Sequence, residues 1–75
     1  MEITRLVKMA NDIARFFEPE PDKELAVKGV TSHMQRFWDP RMRREIVSYA
    51  RTGGAELSEL ARQAVLQLTV PEGTA

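Results

Sequence analysis

Residues 37–43, Phe37-Trp38-Asp39-Pro40-Arg41-Met42-Arg43, contain the clearest helix boundary in the chain. Aspartate caps a helix by accepting hydrogen bonds from unpaired backbone N–H groups, and proline fits the first helical position because it has no N–H to leave unpaired. Asp39 and Pro40 therefore predict that one helix ends near Trp38 and that another starts at Pro40. This later helix is expected to reach about Arg51, where Thr52-Gly53-Gly54 can supply a left-handed C-cap.

Upstream of this boundary, apolar residues recur at spacings of three and four, which predicts two amphipathic helices. The first runs from Ile3 to near Glu18, with Asn11 on its polar side. The second starts at Pro21, and its apolar stripe consists of Ala26, Val27, Val30, His33, Met34, Phe37 and Trp38. Gly29 lies inside this helix, where its expected use is the close approach of another backbone.

Downstream of the glycines, a fourth helix is predicted from about Ala55. Its apolar stripe consists of Leu57, Leu60, Ala61, Ala64, Val65 and Leu68. No alternation typical of β-strands appears. The sequence thus predicts an all-α fold, a small bundle of about four short helices in a single domain over residues 1–70, with a flexible C-terminal tail at 71–75.

The size of the chain limits its stability. A single core in 75 residues rarely supplies more than ~3–5 kcal/mol. The sequence has no cysteine and one histidine, which excludes disulfides and a zinc site built on thiolates. A partner protein is the expected source of further stability. No segment has the apolar length of a membrane span or the pattern of a secretory signal, so we expect a soluble cytoplasmic protein.

Charge is unevenly distributed although the net charge is zero. Residues 28–51 carry six Lys or Arg against two acidic residues, a net charge of +4, and each flanking segment has a net charge of −2. The basic centre raises the possibility of a small nucleic-acid-binding protein. The acidic flanks would repel phosphates, and the polar faces lack the side chains that usually contact base edges, so we expect a protein partner and no nucleic acid.

No catalytic set is apparent. Ser32 and His33 are adjacent, and neighbouring residues on a helix point about 100° apart. The carboxylate pairs Glu18/Glu20 and Glu56/Glu59 are interpreted as solvated charge. Gly53-Gly54 lacks the spacing and the lysine of a phosphate-binding loop. The chain is therefore not expected to be an enzyme by itself.

The segment around residue 38 is the candidate binding site. Phe37 and Trp38 are adjacent, so one of them is expected to face outward, and Trp and Arg are common at binding hot spots. A contact surface of Trp38, Arg41 and Arg44 is favoured over the alternative, in which Trp38 covers the core and the arginines are solvated. The residues predicted to bind a partner are His33, Phe37, Trp38, Arg41 and Arg44.

Three segments resemble the delta subunit of cytosolic NAD-dependent formate dehydrogenases. They are Lys8-Met9-Ala10-Asn11-Asp12-Ile13-Ala14-Arg15-Phe16-Phe17, His33-Met34-Gln35-Arg36-Phe37-Trp38-Asp39-Pro40-Arg41-Met42-Arg43 and Gly53-Gly54-Ala55-Glu56-Leu57. With the helix that follows, they place the resemblance at about residues 6–68, and the central segment is the most specific.

The resemblance implies an accessory role in an enzyme that oxidises formate to carbon dioxide and reduces NAD⁺. In such enzymes the alpha subunit holds a molybdenum or tungsten pterin and iron–sulfur clusters, the beta subunit holds FMN and the NAD site, and the gamma subunit holds further clusters. The delta subunit would bind no cofactor and would support assembly or stability, docked mainly on the alpha subunit. The alternatives are a free-standing helical regulator, such as a nucleic-acid-binding protein, and a self-associating helical module.

Overall fold

The computed structural model describes residues 2–69, which form four α-helices and no strand. The helices are α1 (Ile3–Phe17), α2 (Lys23–Phe37), α3 (Pro40–Arg51) and α4 (Glu59–Val65). The predicted all-α fold is confirmed. The tail predicted at 71–75 lies outside the described residues. None of the described helices is long and apolar enough to cross a membrane.

One hydrophobic core joins all four helices. Helix α1 packs against each of the other three, and α4 packs against both α2 and α3. The largest fully buried side chains are Leu6, Val30, Met34, Ile46 and Val65. Each helix therefore contributes at least one large side chain to the same core.

The junction between α2 and α3 forms as predicted. The Asp39 carboxylate accepts a hydrogen bond from the backbone N–H of Met42 at 2.9 Å, and Pro40 is the first residue of α3. At the other end of α3, Gly54 has a φ of 54°, in the left-handed region that glycine adopts without strain.

The predicted starts of α2 and α4 were wrong because each helix has its own cap further along the chain. Asp22 accepts hydrogen bonds from two backbone N–H groups, so α2 begins at Lys23 and Pro21 precedes it. Ser58 caps α4, which begins at Glu59, whereas Leu57 belongs to a turn closed by its N–H to the carbonyl of Gly54 at 3.0 Å. Leu57 is buried in that turn without being helical.

Gly29 allows the close approach of a side chain. The prediction that another backbone approaches it was wrong. A Cβ at residue 29 would lie 2.5 Å from Cε1 and 2.7 Å from Cδ1 of Phe17. The end of α1 therefore packs through an aromatic ring directly on the backbone of α2.

Asn11 connects α1 to the segment before α4, although the sequence placed it on the polar side of α1. Its side-chain amide donates to the carbonyl of Glu56 and accepts from the N–H of Ser58, both at 2.9 Å. Asn11 thus fixes the segment that leads into α4 by satisfying two backbone groups that no helix pairs.

Candidate partner-binding site

Trp38 is buried in the core with 4% of its surface exposed, as in the alternative in which it covers the core, and not as the favoured contact surface of Trp38, Arg41 and Arg44 requires. It lies four residues after the fully buried Met34, on the same side of α2, and its backbone N–H donates to the Met34 carbonyl at 2.9 Å. Phe37 is the outward-facing member of the pair, with 70% of its surface exposed. The expectation that one of the two aromatics faces outward is confirmed.

His33 and Phe37 form an exposed aromatic pair on α2. Their ring centroids lie 4.9 Å apart and their ring planes meet at 42°. Both were predicted to lie on the apolar stripe of α2 and to bind a partner. Both are exposed, because the buried side of α2 consists of Ala26, Val27, Val30 and Met34. The pair forms an exposed surface that is apolar at Phe37 and carries the polar nitrogens of the His33 ring. Contact between the two rings holds both side chains in place.

Three arginines near Phe37 are exposed and make no ion pair or side-chain hydrogen bond within residues 2–69. They are Arg36, Arg41 and Arg44. Arg41 and Arg44 lie on the side of α3 away from its buried residues Ile46, Val47 and Ala50. Their guanidinium groups are therefore available to a carboxylate on another molecule.

Arg43 has a different role, which the sequence did not indicate. Its guanidinium donates to the carbonyls of Gln35, Trp38 and Thr69, at 3.3 Å for Gln35 and 3.2 Å for Thr69. These acceptors come from the end of α2 and from the chain after α4. Arg43 thus holds the α2–α3 junction in place, and the exposed pair of Phe37 and His33 lies directly before that junction.

Sequence reasoning also missed the exposed apolar residues Met9, Phe16 and Leu25. Met9, Ile13 and Phe16 are spaced four and three residues apart, so they lie on one side of α1. Ile13 was interpreted as part of the core stripe, and Met9 and Phe16 were assigned no role. Ile13 is only partly buried, and 79% of the surface of Phe16 is exposed. The available signal was the width of the apolar pattern on α1, which exceeds what one small core can cover.

Within residues 2–69, no three His, Cys, Asp or Glu side chains are grouped so that they could hold a metal ion. Every buried side-chain nitrogen or oxygen in that range has a hydrogen-bond partner. Exposed aromatic rings, together with exposed arginines that form no ion pair within the described residues, are typical of a protein-binding surface.

Comparison with known proteins identifies the family. No curated protein matches the chain, and no solved structure matches it either. A family model described as the NADH-dependent formate dehydrogenase delta subunit FdsD matches residues 5–65. This range contains α2, α3, α4 and all of α1 except Ile3 and Thr4, together with both exposed aromatic residues of the candidate site. The resemblance noted in the sequence is confirmed, and the chain belongs to the FdsD family of formate dehydrogenase delta subunits.

Proposed function

We propose that this subunit is a non-catalytic accessory protein that binds the alpha subunit of an NAD-dependent formate dehydrogenase and supports the assembly or stability of the complex. Family membership supports the role of a subunit. The observation that carries the binding role is the 70% exposure of Phe37, a large apolar side chain in contact with an exposed histidine. Burying such a ring contributes about 1.5–3 kcal/mol, which favours a site that a partner covers.

Within this proposal, the five predicted residues divide into contact and positioning roles. Phe37 and His33 supply the apolar contact, and Arg41 and Arg44 pair with carboxylates of the partner. Trp38 contributes from inside, because its burial fixes the end of α2 and thereby the direction of Phe37. The proposed contact thus rests on Phe37 where the sequence had favoured Trp38.

The proposal assigns the cofactors of the enzyme to its other subunits. The chain has no cysteine to ligate an iron–sulfur cluster and a single histidine. We therefore assign the molybdenum or tungsten pterin, the clusters, FMN and NAD to the alpha, beta and gamma subunits. The proposed location is the cytoplasm, as for the cytosolic enzymes that the sequence resembles.

Omission of the subunit tests this function. The alpha, beta and gamma subunits would be co-expressed with and without this chain, and the yield of assembled complex, its metal content and its formate-dependent reduction of NAD⁺ would be measured. We expect omission to lower the yield and the activity together. Equal yield, metal content and activity in its absence would contradict the proposal.

A second measurement separates assembly from stability. The purified subunit would be added to complex that was produced without it. Recovery of activity on addition would indicate that it stabilises an enzyme already loaded with cofactors. Activity that recovers only on co-expression would indicate a role during assembly.

A further inference from the structure

Four of the five exposed large apolar side chains within residues 2–69 lie on α1 and α2. They are Met9, Phe16, Leu25 and Phe37, with exposed fractions of 36%, 79%, 54% and 70%. The fifth, Leu66, lies just after α4. Single exposed apolar residues are normal on a protein surface, whereas four on two neighbouring helices form a concentration that needs an explanation.

The packing of α1 on α2 places these residues along one seam. The two helices are joined by the short segment 18–22 and pack together, as antiparallel neighbours do. Phe17 contacts Gly29. Because the helices are antiparallel and rise equally per residue, counting back along α1 from Phe17 matches counting forward along α2 from Gly29. Four residues on, Ile13 is level with His33, and eight residues on, Met9 is level with Phe37.

The seam therefore presents two rows of side chains. One row on α1 consists of Met9, Ile13 and Phe16, and one row on α2 consists of Leu25, Gly29, His33 and Phe37. Each row follows the spacing of three or four residues that keeps side chains on one side of a helix. Eight helical residues rise about 12 Å, so the seam between residues 29 and 37 is long enough to accept two turns of a partner helix.

The charges at the two ends of the seam differ in sign. Arg36, which precedes Phe37 in α2, and Arg41 and Arg44, in the first half of α3, are exposed and form no ion pair inside residues 2–69. Near Phe16 and Leu25, the linker and the start of α2 carry exposed carboxylates, Glu18, Glu20 and Glu24. A partner that covers the whole seam must be apolar along its centre and acidic beside Phe37.

We propose that this α1–α2 seam is the surface through which the subunit docks on the alpha subunit. The partner element is an apolar surface of the alpha subunit with carboxylates that pair with Arg36, Arg41 and Arg44. This proposal rests on the function proposed above and names the surface that performs it. It extends the contact from the residues around Phe37 to Leu25 in the same row on α2, and to Met9 and Phe16 in the row on α1.

A second copy of this chain is the competing occupant. A two-fold contact centred on Phe37 would bring the arginines of both copies together, which like-charge repulsion opposes. A two-fold contact centred on the middle of the seam would instead pair each basic end with an acidic end. The family favours the alpha subunit, because its members are subunits of formate dehydrogenase.

Apolar variants test the surface in the complete complex. Affinity-tagged Phe16→Ser and Phe37→Ser variants would be co-expressed with the alpha, beta and gamma subunits, and the alpha subunit that co-purifies would be quantified. Leu66→Ser is the matched control, since it removes an exposed leucine outside the seam. We expect each seam variant to weaken binding about tenfold or more and the control to have little effect, because a buried ring contributes more than one factor of ten. Circular dichroism of each purified variant would establish that the helices are retained.

Charge reversal tests the acidic partner. Arg41→Glu should weaken capture of the alpha subunit, and the loss should shrink at high salt. Lys28→Glu is the matched control, because it makes the same change of charge on an exposed residue of α2 away from Phe37. An equal effect of both substitutions would overturn the specific pairing.

The outcomes separate this proposal from the proposed function. If both seam variants bind like the wild type while omission of the subunit still lowers activity, the surface is wrong and the function stands. If omission has no effect, the function fails as well. A stable homodimer in light scattering that Phe37→Ser dissociates would show that a second copy occupies the seam, and would overturn the alpha subunit as its occupant.

Discussion

Gly29 lies against the ring of Phe17, which leaves no room for a side chain. A Cβ at residue 29 would lie 2.5 Å from Cε1 of that ring. At an exposed position inside a helix, replacing glycine by alanine raises the free energy of unfolding by about 1 kcal/mol. We expect Gly29→Ala to lower the free energy of unfolding instead, by about 1 kcal/mol, because overpacking outweighs the gain in helix propensity. Urea denaturation followed by circular dichroism measures the change.

A double-mutant cycle provides the control for this prediction. Phe17→Ala removes all the ring atoms that a Cβ would meet, so in that background Gly29→Ala should become neutral or stabilising. A stabilising effect of Gly29→Ala in the wild-type background would show that the ring moves aside at little cost.

Arg43 and Arg44 are adjacent arginines with different surroundings, and they form a natural pair of variants. Arg43 donates to three backbone carbonyls, and Arg44 is exposed without such contacts in residues 2–69. Because lysine cannot reproduce the guanidinium fork, Arg43→Lys should lower the free energy of unfolding by about 1–2 kcal/mol. Arg44→Lys should leave it unchanged. Equal thermal unfolding curves for the two variants would contradict the role of Arg43.

The side-chain contacts at this scale were the least predictable from the sequence. Helical spacing places Phe37 and Trp38 on different sides of α2, but it does not say which side faces the core, because both continue apolar rows. Arg43 and Asn11 bond to backbone groups 26 and 45 residues away in the chain. Such contacts depend on how the helices pack, which a local pattern does not contain.

At the scale of the helices, α4 offers a prediction about pH. Gln63 donates to the Glu59 carboxylate at 2.7 Å, and Arg62 lies 3.5 Å from its other oxygen. The hydrogen bond from Gln63, followed by the charge of Arg62, holds the pKa of Glu59 below its ordinary value. The stabilisation from these contacts is therefore complete above the ordinary pKa of glutamate, and it is lost as the pH falls through the lowered value.

The measurement is an NMR titration of the Glu59 carboxyl. We expect Gln63→Ala to raise the pKa of Glu59 toward the ordinary value, because the largest cause of the shift is removed. Gln67→Ala is the control, since Gln67 is exposed and makes no side-chain hydrogen bond to Glu59 within the described residues. An unchanged titration in the Gln63 variant would assign the shift to Arg62.

Helix boundaries were predictable where the chain itself supplies both the cap and the stop. Asp39 and Pro40 do so within two residues, and α3 begins where they indicate. The start of α4 was missed because Leu57 continues the apolar spacing of the helix while lying in a turn before the Ser58 cap. Apolar spacing reports burial, and burial alone does not distinguish a helix from a turn that packs on the core.

At the scale of the whole molecule, stability and docking are linked. A core of this size rarely supplies more than ~3–5 kcal/mol, and a partner that binds only the folded state adds to that value. The exposed apolar residues concentrate on α1 and α2, whereas α3 has none among the described residues. Binding at the seam should therefore protect the backbone amides of α1 and α2 from hydrogen exchange more than those of α3 and α4.

Hydrogen exchange of the free subunit and of the assembled enzyme measures this difference. We expect slower exchange in the complex for the amides of α1 and for the second half of α2, because the seam is covered and local opening of these helices is suppressed. Global stabilisation by the partner would slow exchange everywhere, so the decisive quantity is the excess protection of α1 and α2 over α4. Uniform protection would support binding without locating it, and excess protection centred on α4 would place the contact outside the seam and contradict the proposal.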